Sequence, residues 1–398
     1  MDIAAFDIAA LPRIVFGPGR LAELADIVAA HGRSVLVLTG GRSFRDTAHW
    51  AALQKGLERA GVDFADMSVT DEPSPQMIDN AVRHHHGRGI EAVVAIGGGS
   101  VLDAGKAIAG LLPFGNSVLD HLEGVGRGVP YAGPALPFIA VPTTAGTGSE
   151  ATKNAVLSER GAGGYKKSFR HDTLVPRVAL VDPEMLASCP APQIAANGMD
   201  ALTQLLESYV SLKANPFTDA LAWSGLSAVR DGFLDAWHGG ETDAARAGRA
   251  GMAYGALLSG ITLAQVGLGS VHGLASPLGA LFPIPHGVVC GTLVAAATGV
   301  NIRVLKDREP DSPALAKYAR VGRLFARDEA LDDAAAHTAL VQVLADWTAR
   351  MEIPHLGAYG VKETDIARVV ADSRGSSMKT NPIVLSDEEV GEVVKSRL

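Results

Sequence analysis

Cysteine is nearly absent from this chain, with only Cys189 and Cys290 among 398 residues. Two thiols cannot build a disulfide framework, so the fold must stand on its own core, and a reducing compartment, the cytoplasm, is the expected location. Aromatic residues are scarce at 5% while glycine occupies 45 positions, which points to close packing of small side chains. Basic clusters are missing too. The formal net charge is −8, so no nucleic-acid partner is expected. The run His84-His85-His86, with Arg83 and Arg88 beside it, reads as the polar end of a helix. No stretch of Leu, Ile and Val character is long enough to read as a membrane span, and the apolar AYGALLSGITLA has the Gly and Ser of a helix packed in a core. The first residues, with Asp2 and Asp7, lack the basic, apolar, small-residue order of a signal peptide. A globular chain without a membrane partner remains, long enough for two domains.

The first half alternates two periodicities. RIVFG, SVLVLTGG, VDFADMSV, EAVVAIGGGS, PFIAVPTTAGTGSE and RVALVDP read as strands, with helical patterns between most of them. Strand and helix alternating at this spacing predict a parallel sheet with helices on both faces. From about Asp182 helical periodicity takes over, in NGMDALTQLLESYVS, PFTDALAWSGLSAVRDGFLDAW, ARAGRAGMAYGALLSGITLAQVG and ALVQVLADWTAR. The expected organisation is an α/β dinucleotide-binding domain over residues 1–182 and an all-α domain over 183–398.

Two loops at strand ends carry nucleotide-binding chemistry. Gly97-Gly98-Gly99-Ser100 joins a buried strand to a helix, where glycines let the backbone approach a pyrophosphate and the helix N-terminus offers N–H donors. This is not the GxGxxG fingerprint, and alone it is no more than a tight turn. The second loop, Thr143 to Ser149, adds hydroxyls able to bond phosphate or ribose. At the end of the earlier strand stands Gly40, where many NAD sites carry an acidic residue for the ribose 2′-hydroxyl. A 2′-phosphate is therefore tolerated, with Arg42 as its partner or else as a solvated surface residue.

The second constellation is metal-binding. His272 and His286 stand in GSVHGLASPLGALFPIPHG, among small and apolar residues, and Asp200 leads a helical pattern upstream. A histidine in an apolar run is more often a core residue; one carboxylate and two imidazoles together suit Fe²⁺ or Zn²⁺.

Taken in order, GGGSVLDAGKAIA, VPTTAGTGSEATKNAV, PRVALVDPEML, NGMDALTQLLESYVS, VHGLASPLGALFPIPHGV and TNPIVLSDEEV resemble the iron-containing (group III) alcohol dehydrogenases over nearly the whole length. The resemblance implies an N-terminal dinucleotide-binding domain and a helical metal-binding domain. It implies that Gly98, Gly99 and Ser100 hold the pyrophosphate and that Thr143, Thr144 and Thr147 contact phosphate and nicotinamide ribose. Asn154 and Lys166 complete that edge, with Lys167 as the alternative if the alignment of the GAGGYKK loop shifts by one. Asp200, His272 and His286 fall on metal ligands of the family. Two positions depart from its pattern. Gln204 stands where the family's second ligand is a histidine, and its carbonyl oxygen is expected to ligate weakly. Ser276 stands where many members carry a histidine, so the proton is expected to leave through water or a cofactor ribose hydroxyl.

The implied chemistry is reversible hydride transfer between NAD or NADP and a small alcohol or aldehyde. The metal, Fe²⁺ first and Zn²⁺ as alternative, acts as Lewis acid, no side chain is assigned as catalytic, and the expected assembly is a homodimer. Competing readings are a metal-independent reductase of the maleylacetate reductase type, a lyase using bound NAD transiently, and a nucleotide-binding sensor.

Overall fold

Four strands of the first half are continuous apolar runs, and such runs are stable only when both sheet faces are covered. The computed structural model describes residues 4–160 and 164–398, so 161–163 of the GAGGYKK loop lie outside the described residues. The α/β unit spans residues 9–189. Its elements are β1 (Arg13–Phe16), α1 (Leu24–Ala29), β2 (Ser34–Thr39), α2 (Ala48–Arg59), β3 (Asp63–Ser68), α3 (Pro75–His85), β4 (Ala92–Gly97), α4 (Gly99–Leu111), β5 (Phe138–Pro142), β6 (Asn154–Glu159), β7 (Tyr165–Arg170) and β8 (Val178–Val181). Six strands form one parallel sheet in the order β1-β8-β5-β4-β2-β3.

Alternate residues of each central strand serve opposite faces. Val35 and Val37 of β2 pack with Leu24, Ile27 and Val28 of α1 and with Leu53 and Leu57 of α2. Leu36 and Leu38 pack on the other side with Ile78 and Val82 of α3 and Leu102 and Ile108 of α4. The helices that follow β2 and β4 thus lie on opposite faces while the two strands are neighbours. The loops leaving them diverge, which opens a crevice at the carboxyl ends of the strands where nucleotides bind in such sheets. Gly40 and Gly98 stand on its two sides.

The antiparallel hairpin β6-β7 was not expected from the sequence. Its strands are mixed in polarity and joined by a glycine-rich link, so period-two patterning is weak, yet Ala155, Leu157 and Phe169 are buried in the core beside α4. The unit also runs seven residues past Asp182. That carboxylate is buried and accepts the amides of Gly19, Leu21 and Glu184, which ties the segment after β8 back to the sheet. The triple-histidine run closes α3; its last member, His86, bonds the Leu112 carbonyl through Nδ1 at 2.8 Å.

The helical unit comprises residues 190–398 together with residues 4–8. Its helices are α5 (Ala191–Val210), α6 (Pro216–His238), α7 (Asp243–Val266), α8 (Ser270–Leu281), α9 (His286–Arg308), α10 (Pro313–Ala326), α11 (Asp333–Arg350), α12 (Ile366–Asp372) and α13 (Asp387–Lys395), with no strand among the described residues. By length and composition α9 could cross a membrane, but 78% of its apolar window is buried inside the protein, as expected of a central core helix.

Candidate active site

Helical spacing places Asp200, Gln204 and Glu207 on one face of α5, and all three are buried. The segment Gly269 to Gly287 forms α8, which carries His272, then a turn that opens α9 at His286. Close approach of α9 to α5 depends on Gly287, where a Cβ would stand 2.3 Å from the Ala196 carbonyl oxygen. One turn along α9, Cys290 faces the same point.

Four donor groups converge there. Donor atoms of Asp200, His272, His286 and Cys290 all lie within 4.8 Å of one another. Asp200 Oδ1 is 3.2 Å from His272 Nε2 and 3.6 Å from His286 Nε2, and Cys290 Sγ is 3.6 Å and 3.8 Å from the same nitrogens. Behind this cluster, Glu207 Oε2 accepts from His272 Nδ1 at 2.7 Å while Oε1 accepts the Val271 amide at 2.7 Å. A carboxylate behind a histidine in this way fixes the ring and presents its other nitrogen to a cation. The carboxylate, imidazole and thiol set fits a divalent metal of the iron or zinc type.

The electrostatics of the cluster favour an ionised carboxylate beside a protonated ring and a neutral thiol. Burial opposes ionisation of Asp200, but His286 and His272 beside it outweigh the penalty and hold its carboxyl below the usual range. Burial would lower His272, yet its contacts with Cys290, Asp200 and Glu207 raise it well above the ordinary imidazole value. Burial pushes the Cys290 thiol up to about 12, against the pull of His272.

Gln204, expected as a donor, has a hydrogen-bond partner on α7. Its Oε1 accepts from Ser259 Oγ of α7 at 2.6 Å, in a fully buried contact. Ser276 is exposed on α8, one turn from His272. Glu207 and Cys290 are the residues that sequence reasoning missed, although each had a signal: Glu207 lies seven residues after Asp200, and Cys290 lies four after His286.

The α/β unit brings the two predicted loops together. A Cβ on Gly99 would stand 2.7 Å from Thr147 Cγ2, and one on Gly98 would stand 3.4 Å from Thr144, so the glycines permit the contact. Thr143 donates its amide to the Gly97 carbonyl at 3.0 Å. Gly98 caps α4, whose first amides, at Gly99 and Ser100, are those a helix leaves free for an anion. Below the loops lies a buried polar clasp. Lys106 Nζ is within 3.0 Å of the Ser149 carbonyl and hydroxyl, the Thr152 hydroxyl and the Asn154 carbonyl. Asp103 accepts from Ser149 Oγ at 2.6 Å. Burial lowers Lys106 to about 8 even with Asp103 and Glu150 beside it.

Two other expected cofactor contacts sit differently. Lys166 Nζ pairs with Glu72 at 2.8 Å, and Ser158 Oγ donates to the same carboxylate. Arg42 is exposed and pairs with Asp46 at 3.0 Å, as a solvated surface residue does. Gly40 has open space around it, with Ser43 Oγ at 3.9 Å the nearest atom to a built Cβ.

Comparison with known proteins agrees with this arrangement. Residues 12–183 match the family model of iron-containing alcohol dehydrogenases, and residues 194–398 match that of the family's C-terminal part. Alcohol dehydrogenase 4 of Saccharomyces cerevisiae is 30% identical over 388 residues, covering 96% of each chain. Among solved structures, a 1,3-propanediol oxidoreductase superposes with a TM-score of 0.88 at 26% identity, covering 99% of this chain and all of its own. A sulfoacetaldehyde reductase from Bifidobacterium kashiwanohense, solved in complex with NAD+, gives 0.84 at 26% identity over 99% of each chain.

Proposed function

The chain belongs to the iron-containing alcohol dehydrogenase family, and on that premise we propose a reversible hydride transfer between NAD or NADP and a small alcohol or aldehyde, assisted by one divalent cation at Asp200, His272 and His286. The enzyme is an oxidoreductase acting on CH–OH groups. The convergence of those three donors in the helical unit is the observation that carries the metal reading, and it favours this chemistry over a metal-independent reductase.

A cation bound there supplies a Lewis acid for the substrate oxygen. The protein does the rest by position. Glu207 holds the His272 ring, Asp200 contributes the negative charge that favours a cation, and His286, with 30% of its side chain exposed, marks the side open to substrate. In the α/β unit, the Gly98-Gly99-Ser100 turn and the Thr143 to Thr147 loop take the cofactor pyrophosphate and ribose, and Asn154 and Lys166 complete that edge. Lys166 can do so only by sharing its charge with Glu72. With an exposed serine at 276, the proton leaves by solvent or by the cofactor ribose.

Several finer points belong to the same proposal. NADPH is accepted alongside NADH because no acidic side chain stands at Gly40. The metal is Fe²⁺ or Zn²⁺. Both cysteines are free thiols, which supports a reducing, cytoplasmic setting. A homodimer is supported by edge strand β1, where Ile14 and the nearby Leu11 are exposed. The functional test is an NADH and NADPH oxidation screen over aldehydes and ketones, run with Fe²⁺, Zn²⁺, Mn²⁺ and Ni²⁺. Metal-stimulated oxidation of either cofactor is expected with at least one aldehyde. Cofactor oxidation equally fast in the chelated, metal-free protein would refute the metal's role.

A further inference from the structure

We infer that Cys290 is a metal ligand, completing a four-residue site with Asp200, His272 and His286 and filling the place expected for Gln204. The inference rests on the metal reading of those three residues and extends it to a sulfur donor. The distances carry it. In a tetrahedral zinc site with bonds of about 2.0 Å to N and O and about 2.3 Å to S, donor atoms are separated by about 3.3 Å for N–O pairs and about 3.5 Å for N–S pairs. The corresponding separations here are 3.2 and 3.6 Å from Asp200 to the two imidazoles, and 3.6 and 3.8 Å from Cys290 Sγ to the same two nitrogens. Four of the six donor separations thus lie near ligand values, both of the Sγ-to-imidazole separations among them.

The placement of the thiol, within hydrogen-bond reach of both imidazoles, is also the placement of a ligand. A buried free cysteine ordinarily packs as a small apolar side chain. Cys290 is fully buried yet faces a carboxylate and two imidazoles. It is held on α9 one turn after His286, so a rigid helix presents both donors to one point. Gln204 is the competitor, and one of the two acceptor sites of its carbonyl oxygen is taken by Ser259. A thiolate is a softer donor than a Gln oxygen or an imidazole and favours Zn²⁺ over Fe²⁺. With four protein donors, a substrate oxygen would join only by expansion to five-coordination, which catalytic zinc undergoes in the transition state.

X-ray absorption at the zinc edge of the full-length, Zn²⁺-loaded protein tests this without reference to turnover. One sulfur scatterer at about 2.3 Å is expected beside nitrogen and oxygen at about 2.0 Å. The sulfur shell should vanish in Cys290→Ser and persist in Cys189→Ser and Gln204→Ala. Zinc affinity should fall at least about tenfold in Cys290→Ser and change little in Gln204→Ala. Co²⁺ loading gives a second readout, a thiolate-to-cobalt charge-transfer band present in the wild type and lost with Cys290. A shell of nitrogen and oxygen alone, at full metal occupancy, overturns the Cys290 assignment and leaves the three-residue site intact. A wild-type protein that binds no zinc or cobalt overturns both. Should the serine variant not fold, the wild-type spectra still decide.

Discussion

Nδ1 of His272 and Oε2 of Glu207 are 2.7 Å apart in a buried contact, and this pair decides which face of the ring meets the metal cluster. With Nδ1 bound to the carboxylate, Nε2 is the nitrogen left for a cation. The two residues are 65 positions apart in sequence, on α5 and α8, so the contact also pins those helices together.

Glu207→Gln is therefore expected to weaken metal binding by about 10- to 100-fold while leaving the ligands themselves in place. The amide still accepts from Val271 through its oxygen but offers nitrogen where His272 needs an acceptor. Isothermal titration with Zn²⁺ or competition with a chromogenic chelator measures the change. Unaltered affinity would show that Glu207 serves packing alone.

Cofactor choice is tested at Gly40. Space around this residue admits an aspartate, since the nearest atom to a built Cβ is Ser43 Oγ at 3.9 Å. Gly40→Asp should lower the NADPH-to-NADH ratio of kcat/KM by at least about tenfold, on the order of 1.4 kcal/mol, through repulsion of the 2′-phosphate and a new ribose hydrogen bond. A wild type that already rejects NADPH would contradict the argument from Gly40.

These tests draw on parts of the chain that were unequally visible in its sequence. Val35 to Leu38 and Ala92 to Ile96 are unbroken apolar runs because both faces of the sheet are covered, and such runs announce parallel strands. Gly98, Gly99 and the threonine loop were visible because a strand, a glycine turn and a helix follow in order. The β6-β7 hairpin was hidden because its short strands alternate poorly, and only the packing of Leu157 and Phe169 against α4 reveals its buried side. Cys290 and Glu207 were hidden for another reason: helical spacing relates each to a known donor, but nothing in sequence says that α5, α8 and α9 meet at one point. Gln204 shares a face with Asp200, and only the structure shows Ser259 claiming its oxygen.

The clasp beneath the nucleotide loops should leave a mark on stability. Glu150 is 2% exposed, and burial pushes its carboxyl from 4.5 up to about 7, with Lys106 opposing. Because the folded form holds the proton more tightly, Glu150 contributes stability at low pH that is lost as pH rises from about 4.5 to about 7. Glu150→Gln removes this dependence, so relative to wild type it should gain up to about 3 kcal/mol across that window. Urea unfolding of both proteins at several pH values measures it. Parallel pH profiles would contradict the burial argument.

The central claim is that a cation held by the helical unit drives turnover while the nucleotide loops bind cofactor without it. One experiment joins both halves: metal content, turnover and NAD(P)H binding measured on the same preparation of His286→Ala. The account predicts metal falling from about one per chain to near zero and turnover falling by about a thousandfold, with the NAD(P)H Kd, read by fluorescence titration, within about threefold of wild type. Full turnover in demonstrably metal-free His286→Ala protein would contradict it.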